Sequence, residues 1–108
     1  MLPEHDLYVT DWRDARTVPL AEGRFDLNDF IDTVITFIRV LGPGSHVIAV
    51  CQPSVPVLAA TAIMAELDDP CQPASITLMG GPIDTRRNPT VVNEHAMSRS
   101  LALSLIHI

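Results

Sequence analysis

The chain contains no lysine: its seven basic residues are all arginine, and they are outnumbered by thirteen acidic ones, leaving a formal charge of −6. So acidic a balance argues against a nucleic-acid partner, because binding to phosphate backbones draws on clustered positive charge. Long hydrophobic runs are missing too. The longest near-unbroken apolar stretch, Val55 to Ala65, is interrupted by Pro56 and falls well short of the roughly 20 residues a membrane helix requires. No membrane span is expected. The opening Met1-Leu2-Pro3-Glu4-His5-Asp6 has no basic region ahead of an apolar core, so it does not read as a secretory signal, and the cytoplasm is the expected compartment. Cysteine is scarce: Cys51 and Cys71 are the only two, and in a reducing compartment they are expected as free thiols. No pair of His or Cys has a spacing suited to a metal, and the two cysteines lack the further ligands zinc requires, so no metal is expected. What is present is 108 residues that are 47% hydrophobic. That is enough for at most one globular domain, or for part of a larger one.

Along the chain, Leu7-Tyr8-Val9-Thr10 is β-branched and aromatic and empties into Asp11-Trp12-Arg13-Asp14, which predicts a first strand. Pro19 and Gly23 make Thr17 to Arg24 a loop. Asp26 is placed to cap a helix, with Asp29 and Asp32 favourable near its positive end. Phe30, Ile31, Val34, Ile35, Ile38 and Leu41 then form one apolar stripe, which Gly42 and Pro43 stop. His46-Val47-Ile48-Ala49-Val50 is apolar on consecutive positions, the pattern of a strand covered on both faces of a parallel sheet. It ends at Cys51. Pro53 and Pro56 fit a first helical turn, and Val57 to Leu67 continues as a second helix. After the loop Asp68 to Pro73, Ser75 to Met79 makes a third strand, closed by Gly80-Gly81-Pro82.

This alternation predicts an α/β class with about three parallel strands and two connecting helices. Typical sheets have about 4–6 strands, so part of the domain is expected to lie outside the chain.

Cys51 stands where a buried strand turns into a helix. A nucleophile on such a sharp turn is held exposed above the sheet, over the helix N-terminus, whose free N–H groups and dipole favour the thiolate. The backbone N–H of Gln52 is placed to donate to the oxyanion that forms when Cys51 attacks an ester carbonyl. The general pattern of this elbow is G-x-nucleophile-x-G; here it reads Ala49-Val50-Cys51-Gln52-Pro53, in which Pro53 departs from the pattern. On spacing alone, a catalytic cysteine competes with an inert one at a strand end.

Four stretches, Tyr8 to Arg16, Gly23 to Leu27, His46 to Pro53 and Leu78 to Arg87, resemble the intracellular polyhydroxyalkanoate (polyhydroxybutyrate, PHB) depolymerases, and the similarity runs from about Leu2 to Ala102. Val50-Cys51-Gln52-Pro53-Ser54 is similar to that family's own variant of the lipase box. The resemblance implies a partial α/β-hydrolase fold over residues 1–102, taken from the centre of the domain. It further implies Cys51 as nucleophile, a polyester polymer or granule surface as partner, a place in the cytoplasm at such granules, and no cofactor for the hydrolysis. The triad Asp and His, and the second oxyanion donor, are expected outside these residues. Leu103 to Ile108 reads as an in-frame translation of a sequencing-library adapter, a non-native tail, with a genuine amphipathic tail as the alternative. The alternatives are a polyhydroxyalkanoate synthase-like acyltransferase, which Pro53 and Ala49 disfavour, and an inert truncated granule-associated fragment.

The other polar residues carry less. His46, at the far end of its strand, lies roughly 16 Å from Cys51 and cannot be its base. His95 follows Pro89 on a polar stretch and reads as surface; His107 belongs to the tail. Asp11 and Trp12, with Asp14, leave the first predicted strand at the edge where open α/β sheets bind ligands. They are candidates for a substrate-side loop, against a plainer reading as a capped turn with an Arg13–Asp14 surface pair. Asp84 follows the third strand at the same edge and reads with Arg86 and Arg87 as a polar loop that can touch substrate. Cys71 is a loop thiol with no helix dipole behind it and reads as inert.

Overall fold

A computed structural model describes residues 2–99 of the chain. The expected tail, residues 103–108, and His107 lie outside these residues. Helix α1, Leu27–Leu41, starts where Asp26 and Asp29 close a reciprocal cap: the Asp26 carboxylate accepts from the Asp29 amide at 3.1 Å, and the Asp29 carboxylate accepts from the Asp26 amide at 2.8 Å. It stops at Gly42, whose φ of 84° only glycine adopts without cost and whose amide donates to the Ile38 and Arg39 carbonyls. Strand β1, His46–Val50, leads through a turn into helix α2, Ser54–Glu66, and strand β2, Ser75–Met79, follows. The two strands run parallel, His46 opposite Ser75 and Val50 opposite Met79.

The core lies between the sheet and the two helices. Val34, Ile35 and Ile38 of α1 meet Val57, Ala60 and Met64 of α2 and Ala49 of β1, with Val47, Ile76 and Leu78 partly buried against them. Val34, Ile35 and Ile38, with Phe30 and Ile31 partly buried beside them, are the predicted stripe, although its last member, Leu41, stays 44% exposed; at roughly 1.5–3 kcal/mol per buried large apolar side chain this core is the main source of stability. Arg39 ties the back of α1 to the loop after α2: its Nε donates to the buried Asp69 carboxylate at 2.7 Å, while the other Asp69 oxygen accepts from the Cys71 amide at 2.9 Å.

Several expectations are corrected. Leu7 to Thr10 forms no strand; it is exposed and pairs with nothing among the described residues, so the sheet has two strands and not three. A β-branched run becomes a strand only when a neighbour offers a ladder. The consecutive apolar residues of β1 are covered on one face only: Val47 and Ala49 point to the helices, while Ile48 and Val50, with Met79 of β2, stay 54%, 59% and 53% exposed. The stretch after Pro89 contains an unforeseen helix, α3, Val91–Ser98, capped reciprocally by Thr90 and Asn93 and packed against no other element among the described residues. Arg13 pairs with Glu22 at 3.0 Å, not with Asp14, which instead caps a short 3-10 turn and binds Arg16 at 2.8 Å.

Candidate functional site

Cys51 sits on the turn between β1 and α2 with its thiol free and its side chain exposed. Its φ of 66° is a left-handed conformation that a non-glycine residue rarely holds. Bonds on both sides hold it there. Its amide extends the parallel ladder to the Met79 carbonyl at 2.7 Å, and its carbonyl accepts from the Ser54 amide, the first of α2, at 3.1 Å. Backbone held in so sparsely populated a region persists only where its surroundings enforce it, and such positions cluster at functional sites.

The start of α2 lies under this turn. Pro53, at φ −57° and ψ −15°, is already helical and offers no N–H, and no backbone carbonyl among the described residues accepts from the Gln52 amide. That amide is the expected oxyanion donor. Beside it lies an open apolar depression lined by Leu27 and Phe30 of α1, by Gln52, Pro53, Val55 and Pro56, and by Pro82 after β2.

The remaining candidates divide. Trp12 stacks on Phe30 with ring centres 4.6 Å apart and planes 13° from parallel, and it touches Phe25 and Phe37 at 6.1 and 5.6 Å. It pins the N-terminal segment to α1 and backs the residue that lines the depression. Asp11 is exposed without an ion-pair partner among the described residues. Asp84 is taken up by Arg86, whose Nε lies at 2.8 Å; the guanidinium and then the Arg86 amide hold the Asp84 carboxyl below the usual carboxylate range. His46 faces Ser75 Oγ at 2.7 Å at the opposite end of the sheet from Cys51, and His95 rides on the unpacked α3. His46 is thus too far from the Cys51 turn to serve as its base, and neither it nor His95 hydrogen-bonds Cys51. No group of three His, Cys, Asp or Glu side chains able to hold a metal gathers among the described residues either.

Sequence reading missed the apolar residues that line the depression, and it missed Gly81. Gly81, after β2, passes so close to the turn that a side chain there has no room. Its only signal was the Gly80-Gly81 pair closing the third predicted strand.

These elements define a small α/β unit, mixed helices on a two-stranded parallel sheet, with an exposed cysteine at a strand-to-helix turn. Compared with protein-family models, with curated proteins and with solved structures, the chain matches none of them.

Proposed function

We propose that the chain is the central part of an intracellular polyhydroxyalkanoate depolymerase, an ester hydrolase in which Cys51 is the nucleophile. The observation that carries the reading is the left-handed, doubly hydrogen-bonded Cys51 turn between β1 and α2. The Cys51 thiolate attacks an ester carbonyl, the Gln52 amide stabilises the oxyanion, and the C–O bond breaks as the leaving alcohol takes up a proton. Water then attacks the thioester, the C–S bond breaks, and the thiol is regenerated. The apolar depression beside Gln52 suits the alkyl backbone of a polyester. The proton-transferring histidine and its acid come from sequence outside residues 2–99, as do the strands and helices that cover the bare face of Ile48, Val50 and Met79.

Expression of the full reading frame carrying this segment, with and without Cys51→Ala, tests the proposal. Release of hydroxyacid oligomers from amorphous poly(3-hydroxybutyrate) is expected to vanish in the variant; undiminished release removes Cys51 as the nucleophile. A second reading applies to these residues alone: with His46 at the far end of the sheet and His95 on an unpacked helix, the isolated chain lacks a paired base and is inert. Thiol-dependent ester hydrolysis by the purified 108-residue chain would overturn it.

A further inference from the structure

The turn that displays Cys51 is clamped from outside itself, and the geometry points to Gly81 as the positioning residue that fixes it. A Cβ on Gly81 would overlap Ser54 Cβ and Oγ and lie 2.8 Å from the Cys51 carbonyl oxygen. Ser54 cannot give way: it is 0% exposed, and its hydroxyl faces the Ala49 carbonyl at 3.4 Å. The Cys51 carbonyl cannot give way either, because it accepts the amide of Ser54. The strand on the other side is equally tied, since the Met79 carbonyl, two residues before Gly81, takes the Cys51 amide. Gly81 thus closes a tight three-way packing of the end of β2, the Cys51 turn and the first residue of α2. The absent side chain lets the two backbones approach until Cys51 is held at its left-handed φ of 66°.

This deepens the reading of Cys51 as a nucleophile by naming what sets its orientation, but it can be tested by thiol chemistry alone. The intact 108-residue chain carries its own reference thiol in Cys71. Iodoacetamide labelling, followed site by site by mass spectrometry, gives the ratio of Cys51 to Cys71 rates. Gly81→Ala is expected to lower that ratio by about tenfold, as the added methyl drives the turn out of its held geometry. Ser54→Gly combined with Gly81→Ala removes the Ser54 Cβ and Oγ that the methyl would overlap, leaves only the 2.8 Å approach to the Cys51 carbonyl oxygen, and is expected to recover part of the ratio. A merely structural role for Gly81 would lower stability without changing the ratio. An unchanged ratio in Gly81→Ala overturns the assignment. So does a double variant no better than the single one; if Gly81→Ala alone does not fold, a double variant that recovers neither the fold nor any part of the ratio counts in the same way. Because no ester is involved, a failure here is distinguishable from a failure of the hydrolase reading.

Discussion

The tripeptide Cys-Gln-Pro occurs twice, at Cys51 and at Cys71, and the two copies are placed in opposite ways. The first copy closes a strand and opens a helix; its cysteine is exposed, left-handed and beside an amide that no backbone carbonyl among the described residues takes up. The second follows Asp69, whose carboxylate accepts the Cys71 amide, and its thiol is half-buried against the core formed by α1 and α2. The same three residues make a presented thiol in one place and a packing atom in the other. Reactivity is a property of the turn and its neighbours, not of the local string.

The comparison can be broken hardest at the nucleophile. In the full reading frame, Cys51→Ala is expected to lower polyester cleavage by on the order of 10³-fold or more, while Cys71→Ala leaves turnover within about twofold. Equal losses from both, read from rates of oligomer release, would erase the distinction.

Next in size is the core that shelters Cys71. Met64 is fully buried, and Met64→Ala is expected to cost about 2–5 kcal/mol in urea unfolding, with Cys71 becoming accessible to labelling. A loss under about 0.5 kcal/mol would mean that the helices do not pack as described.

The cap of α1 gives a smaller effect. Asp26→Ala removes the side chain that accepts the Asp29 amide and is expected to cost about 1 kcal/mol, with the Cys51 turn unaffected. Chemical denaturation, with Cys51 labelling as control, checks both halves of that statement.

The smallest effect is a pH dependence read at the second copy. The Cys71 amide first, and then the Arg39 guanidinium, hold the Asp69 carboxyl below its ordinary value. A lowered folded-state value means that the unfolded chain binds the proton more tightly. The stabilisation is therefore full above the ordinary aspartate range near about 4 and is lost as pH falls through the lower folded value. Melting temperatures should fall on acidification through that window, and Asp69→Asn should flatten the fall. An identical slope in the variant would show that the carboxylate does not hold the Cys71 loop.

Much of this was legible in the chain. Asp26, the stripe from Phe30 to Ile38 and Gly42 mark α1 at both ends, and the apolar runs at 46–50 and 75–79 mark the two strands, because each signal is local. The Cys51 turn was legible for the same reason. What failed depended on partners. Leu7 to Thr10 has the residues of a strand and no ladder to join, and Ile48 and Val50 have the pattern of double coverage without the second layer. Arg13 reaches Glu22 because a second 3-10 turn, Leu20–Glu22, brings the carboxylate back, a loop geometry no spacing rule supplies. Helix α3 is different: Thr90 and Asn93 spell its cap in the sequence, and the signal was there to be read. The proximity of Gly81 to Ser54 joins two elements and has no sequence signature beyond the glycine itself.

The fold singles out one of two otherwise equivalent thiols. The direct measurement is timed alkylation of both cysteines in the wild-type chain, native and in strong denaturant. The structure predicts that Cys51 reacts at least about tenfold faster than Cys71 in the native chain and that the difference disappears on unfolding. Native rates that are equal, or faster at Cys71, would contradict it.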